Sequence, residues 1–170
     1  PLTPMPLLSA TRAYADAYAT GRCAIYAFDI NGTTLLIAVI YGWTGGRQST
    51  IQALRTDDII AIIRDEFEPQ THGPKLIAGD GNASCEDLPN LLEMILEEGW
   101  TDVGSIQHLC GGQANRPTCH ANAKAQESRV DFMIANEYLL PAIVHCKVDM
   151  GDLFATHRPL IIRIKISKLT

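Results

Sequence analysis

No apolar run in this chain approaches the roughly 20 residues that a helix needs to cross a bilayer, so we expect no membrane span. None of the five cysteines, Cys23, Cys85, Cys110, Cys119 and Cys146, stands in a Cys-x-x-Cys pair, and the odd number leaves at least one thiol unpaired. That usage points to an intracellular, reducing compartment. Positive charge is also scarce, since 14 Lys and Arg against 19 Asp and Glu give a formal net charge of −5. Such a balance argues against binding nucleic acid by broad phosphate neutralisation. It leaves room for an acidic cleft whose charge a cation offsets. Internal repeats and low-complexity segments are lacking as well. The opening PLTPMPLLSA has three prolines and no basic cluster, and reads as part of an extended lead-in over residues 1–21, not as a signal peptide.

What remains has the composition of one globular domain, 46% hydrophobic and 19% charged, placed at residues 22–170. Residues 22–30 and 33–41 are apolar, partly β-branched runs joined by Asn31-Gly32, a pair that tolerates positive φ and predicts an antiparallel hairpin. From 47 to 67, Ile51, Leu54, Ile59, Ile62, Ile63 and Phe67 recur at near-helical spacing. Leu76-Ile77-Ala78 reads as a buried strand. Over 87–98, Leu88, Leu91, Leu92, Ile95 and Leu96 mark a helix, with Asp87 and Pro89 at its start and Gly99 at its stop. A short strand or turn near 100–103 leads into a long polar loop, 104–127, of the kind that usually serves a site. We therefore expect this loop to contact substrate. Strands follow at about 129–135, 142–148 and 159–167, and the mixture suits an α/β sandwich.

The densest chemistry lies in LIAGDGNAS, residues 76–84. Gly79 and Gly81 let the backbone turn around Asp80 at a strand end, and would point Asp80 and Asn82 into a cleft. There a carboxylate can take a proton from water, and an amide can donate to a phosphate oxygen. Gly-Asp-Gly-Asn is equally good turn chemistry. Three other segments accompany it: LLIAVIYGWTGG ends a strand at Tyr41, ESRVDFMIAN sets Arg129 and Asp131 before an apolar run, and FATHRPLIIRIKI sets His157 before a terminal strand.

In this order the four signatures resemble the endonuclease/exonuclease/phosphatase superfamily, over roughly residues 22–168. PTCHANAKAQESRVDFMIAN is most similar in wording to endonuclease domains of the retroelement type. The resemblance implies a DNase I-like α/β sandwich, stacked mixed sheets flanked by helices. It implies Mg2+- or Mn2+-dependent phosphodiester hydrolysis, most readily of nucleic acid. By that resemblance Asp80 would orient and deprotonate the attacking water, and Asn82 would hold the water or a phosphoryl oxygen. His157 would donate to the phosphorane, Asp131 would orient a neighbouring group, and Tyr41 would contact the scissile phosphate or leaving group. Arg129 and Arg158 would contact substrate, with Arg116 and Lys124 on nearby loops.

Two departures stand out. The family's terminal Ser-Asp-His reads Ala155-Thr156-His157 here, so a hydroxyl replaces a carboxylate at the usual metal or histidine-orienting position. The family's amino-terminal half, with its asparagine and metal-binding glutamate, is not seen in these 170 residues, and we expect an incomplete domain. A catalytically silent binding or assembly subunit, joined to a partner protein or larger assembly, is the alternative. His108, Cys110, Cys119 and His120 could in principle bind zinc, though their spacing matches no familiar module. Trp43 and Trp100 could stack bases, but a Trp beside a turn is usually packing.

Overall fold

The computed structural model describes residues 3–6, 11–69, 72–120, 126–151 and 154–169. In chain order its elements are β1 (Met5–Pro6), α1 (Arg12–Ala19), β2 (Cys23–Ile30), β3 (Thr33–Tyr41), α2 (Thr50–Phe67), β4 (Lys75–Asp80), α3 (Pro89–Glu97), β5 (Thr101–Asp102), β6 (Asp131–Ala135), β7 (Ile143–Val148) and β8 (Leu160–Ile164). Asn31 and Gly32 adopt φ of 52° and 86°, the conformation a tight hairpin requires, and they pair β2 with β3 from Ile30↔Thr33 to Cys23↔Ile40. Because β4 runs parallel to β3, the chain must cross over between them, and α2 is that crossover. The sheet order is β1-β2-β3-β4-β6-β5, with β7 and β8 forming a separate antiparallel pair.

Side-chain alternation divides the six-stranded sheet into two buried faces. Cys23, Ile25, Leu36, Ala38, Ile40, Ile77, Phe132 and Ile134 pack against α1, α2 and α3. Ile30, Leu35, Leu76 and Ala135, with Ile37, Ala78 and Met133 beside them, meet β7 and its flanks through Ala142, Ile143 and Cys146. Helices, a large mixed sheet and a small sheet thus make a layered α/β sandwich of the expected class.

Three details correct the sequence reading. Within the expected lead-in, residues 12–19 form helix α1, capped by the Thr11 hydroxyl, which accepts from Tyr14 N at 3.2 Å. Tyr14 is buried, and its hydroxyl accepts the Ile25 backbone N–H at 2.8 Å. Only Tyr14 and Ala17 of this helix are buried, too few to show an apolar stripe. The second correction concerns α2, whose buried stripe runs through Ala53, Thr56, Ile60, Ile63 and Phe67, while Ile51 and Leu54 face outward. Small residues at 53 and 56 let the helix approach the turn after β3, where Thr56 Oγ1 accepts from Trp43 N at 2.8 Å. The third is the first part of the long loop after β5, which packs into the fold. Gln107 is fully buried, and Gly112 packs against it and the Cys146 carbonyl. The part at 121–125 lies outside the described residues.

Residues distant in sequence also supply the cap of α3. Its own N-cap position, Leu88, offers no side-chain acceptor. Buried Asp57 of α2 does so instead, accepting from Asn90 N at 2.9 Å, Asn90 Nδ2 at 2.7 Å and Leu91 N at 3.3 Å. A carboxylate on the positive end of a helix is stabilised by both the free N–H groups and the dipole.

Candidate active site

The last residue of β3, the last of β4 and the first of β6 stand abreast. Tyr41 is the register partner of Asp80, and Asp80 that of Asp131. Partners directly opposite share a face of the sheet, here the face that carries Ala78 and Met133 toward β7 and β8. Two backbone positions make the turn after β4 possible. Gly79 has φ of 145°, and a Cβ there would stand 2.0 Å from the Ile40 carbonyl oxygen; at Gly81 a Cβ would stand 2.3 Å from the Phe132 ring. Asn82 follows with φ of 52°, and its N–H donates to Asp80 Oδ1 at 2.8 Å. The Asn82 amide donates to the Gly42 carbonyl at 3.2 Å. One oxygen of Asp80 is thereby fixed and the other is left to the cleft.

His157 arrives from the segment before β8. Its Nδ1 lies 2.9 Å from Asp131 Oδ2 and its Nε2 lies 3.9 Å from Asp80 Oδ2. The first is a hydrogen bond; the second is too long for one and leaves a gap that a water or phosphate oxygen can bridge. What holds the imidazole there is Thr118, which is fully buried. Its hydroxyl accepts from the backbone N–H groups of Val130 and Asp131 at 3.3 and 3.1 Å, and its carbonyl accepts from Arg158 N at 2.7 Å. Cys119 bridges Ser128 and His157 in the same short ladder, and His120 N donates to the Thr156 carbonyl at 2.9 Å. One threonine therefore pins the backbone at Asp131 and the backbone beside His157. It is the threonine of the Pro-Thr that opens PTCHANAKAQESRVDFMIAN, but its partners are backbone groups from elsewhere in the chain, so the sequence gives it no role.

Burial raises the Asp80 carboxyl above its ordinary value, and Asp131 alongside raises it further, against the opposing pull of the Asn82 N–H and His157. A carboxylate raised in this way is the better proton acceptor. The cleft over these groups holds about 410 Å3 and is walled by Val39, Ala78, Met133, Phe154 and Leu160. Among the described residues Asp80, Asp131 and His157 form the one group of acidic and imidazole side chains able to share a cation, their ligand atoms all within 4.8 Å of one another. Two of the three are the oxygen donors that hard divalent ions prefer, and Mg2+ commonly takes one or two carboxylates and keeps its waters. The donor set fits such an ion.

The other sequence-derived candidates divide. Tyr41 keeps its place in the row and is half exposed. Arg158 borders the cleft, but its guanidinium is engaged by Glu127 at 2.6 Å and the Pro117 carbonyl at 3.4 Å. Arg129 is not in the cleft. It forks onto buried Asp102, with Nη1 2.9 Å from Oδ1 and Nη2 bonded to Oδ2, because a desolvated carboxylate needs a counter-charge. Arg116 is half-buried, and Lys124 lies outside the described residues. Thr156 is exposed. The set His108, Cys110, Cys119 and His120 does not come together as a metal group among the described residues. Trp100 stacks on Phe67 in the core, ring centroids 6.0 Å apart. Sequence reasoning passed over Arg22, whose Nη1 donates to the Gly42 carbonyl at 2.9 Å, the same oxygen that Asn82 approaches.

This architecture is the DNase I-like fold seen in solved endonuclease/exonuclease/phosphatase proteins. Among solved structures the chain is similar to the endonuclease domain of TRAS1, a telomere-specific non-LTR retrotransposon, with a TM-score of 0.62 and 16% identity over 96% of this chain and 69% of that one. The endonuclease/exonuclease/phosphatase protein of Bacteroides vulgatus gives a TM-score of 0.57 and 13% identity, covering 82% of this chain and 53% of that one. The Neisseria 3′ phosphatase NExo, bound to product DNA hairpin, gives 0.56 and 14%, covering 82% and 64%. The chain thus spans from about half to just over two-thirds of the length of these neighbours. Neither a family model nor a curated protein sequence matches it. No helix among the described residues is long and apolar enough to cross a membrane.

Proposed function

We propose that this chain is a divalent-metal-dependent phosphodiester hydrolase acting on nucleic acid as an endonuclease. The observation that carries the reading is the convergence of Asp80, Asp131 and His157 from two strand ends and a distant loop. Phosphodiester hydrolysis needs an aligned water, a proton acceptor, and positive charge or donors for the oxygens around phosphorus. Asp80, raised by burial, orients the water and accepts its proton through the oxygen not bound by Asn82. Asn82 keeps one amide proton beyond its bond to Gly42 for a phosphoryl oxygen. His157, held at Nδ1 by Asp131, presents Nε2 to the same gap as a donor to the phosphorane. Tyr41 flanks the row. Asp80 and Asp131 would hold the divalent ion, which when bound supplies charge neutralisation at the phosphoryl oxygens and leaving alkoxide.

The test is Mg2+-dependent nicking of supercoiled plasmid by the chain, beside Asp80→Ala and His157→Ala. Nicking that falls at least about a hundredfold in both variants, the low end of what a general acid or base contributes, supports the roles, while equal nicking by the variants removes them. A second reading, the catalytically silent binding or assembly subunit, draws on Thr156, which supplies no charge where the superfamily motif has a carboxylate. Under that reading wild type and variants alike leave the plasmid intact.

A further inference from the structure

Trp43, two residues beyond Tyr41 at the end of β3, has an arginine on each side. The guanidinium carbon of Arg22 lies 3.8 Å from its ring centroid and that of Arg55 lies 3.6 Å from it. Two guanidinium groups this near one centroid exclude each other from a single face, so they stack on opposite faces of the indole. Arg22 also lies 5.3 Å from the Tyr41 ring centroid and donates to the carbonyls of Tyr41 and Gly42 at 3.2 and 2.9 Å. The stack is therefore joined to the catalytic row through Tyr41, and to Asn82 through the Gly42 oxygen they share.

Its charge is uncompensated. Among the described residues neither arginine has a carboxylate in ion-pair range; Arg55 reaches only the Gln52 amide oxygen, at 3.5 Å, and Arg22 only backbone carbonyls. In a chain of net charge −5, the attraction of both guanidinium groups to one ring gathers two positive charges at a single point of the surface. Stacking keeps both guanidinium planes ordered while leaving their edge N–H groups free for oxygens. Arg55 is exposed and Arg22 half-buried, so a strand can reach them.

We infer that the Arg22–Trp43–Arg55 stack is a clamp for the phosphodiester backbone of a nucleic-acid strand, gripping phosphates that flank the one at Asp80 and His157. The inference rests on the proposed function for its substrate class, and names the residues that grip the strand outside the reacting groups. Arg22 and Arg55 are positioning residues that contribute binding and register, not proton transfer.

The test is binding of a fluorescein-labelled DNA duplex to the full chain in Ca2+, read by anisotropy at several salt concentrations, with plasmid nicking in Mg2+ run in parallel. Every phosphate that the protein ceases to neutralise flattens the plot of log K against log salt by about 0.9. Arg55→Gln should flatten it by about one such step, and Arg22→Gln with Arg55→Gln by about two. Trp43→Leu, which keeps both charges but removes the stack, should weaken binding several-fold. Arg12→Gln, on α1, should change nothing. An unchanged slope in the double variant, or no salt-dependent binding by wild type, overturns the clamp. The two readings fail separately. Nicking lost in Asp80→Ala with an unchanged slope in the double variant sinks the clamp alone. Arginine-dependent binding with nicking equal in Asp80→Ala and wild type sinks the catalytic assignment alone.

Discussion

His157 Nδ1 sits 2.9 Å from Asp131 Oδ2, and Asp131 is itself the cross-strand partner of Asp80. One carboxylate thus aims the imidazole whose other nitrogen faces the second carboxylate. The orienting group comes from β6, not from the residue before the histidine, where Thr156 stands. Asp131→Asn keeps the shape and removes the charge. Nicking by this variant should fall roughly 10²- to 10⁴-fold, the range a general acid or base contributes, with the melting temperature little changed. Full activity in Asp131→Asn would exclude a role for the pair.

Asp80 makes a prediction of the opposite sign for stability. Burial, helped by Asp131, raises its folded-state pKa above the ordinary 3.8. The folded state therefore favours the protonated form. Stability from this group is whole below the unfolded value and is lost as pH rises through the folded one. Asp80→Asn escapes that loss, so it should melt higher than wild type at pH 7 and no higher at pH 3. It should also abolish nicking. Thermal melts at the two pH values check the first half, and a lower melting point at pH 7 would contradict the burial argument.

Thr118 separates position from chemistry. Thr118→Val keeps the volume and strands two backbone N–H groups, at a cost of about 1–3 kcal/mol each when buried. Activity should fall through kcat with little change in KM, and Thr118→Ser should restore most of it. Steady-state cleavage of a labelled oligonucleotide would show this, and an inactive Thr118→Ser would point to packing instead.

Arg129 should matter to folding and not to binding. Its side chain is 16% exposed and that of Asp102 9%, and removing one partner of a buried pair costs about 3–5 kcal/mol. Urea unfolding of Arg129→Ala should show that loss, while any fraction that remains folded keeps the wild-type salt slope for DNA. A flattened slope would return Arg129 to the substrate surface.

Thr156→Asp adds the carboxylate of the superfamily motif. Titration calorimetry should show tighter Mg2+ binding, by several-fold or more, than in wild type. No change would mean that position 156 does not reach the ion.

Most secondary elements were legible because their signals are local. Asn31-Gly32 dictates a hairpin by its φ preferences, and Pro89 and Gly99 bracket α3 by theirs. The helix α1 was not legible, since its reason to fold is the Tyr14 hydroxyl on β2 and a cap at Thr11. The outward turn of Ile51 and Leu54 was hidden for a related reason: apolar periodicity reports where a stripe can be, while the close approach of Ala53 and Thr56 to the turn after β3 decides which stripe is used.

The chain's residues alone determined the chemistry available, namely a carboxylate and an amide on a glycine-flanked turn, a second carboxylate opening a strand, and a histidine preceding another. Tertiary structure decided who meets whom. Register placed Tyr41, Asp80 and Asp131 in one row, Thr118 drew His157 to it, Asp102 took Arg129 away, and Trp43 brought Arg22 and Arg55 together. The reason is physical. Backbone preferences act between neighbours in sequence, whereas pairing of strands and of charges is settled by desolvation and hydrogen bonding between groups that only the folded chain brings within reach.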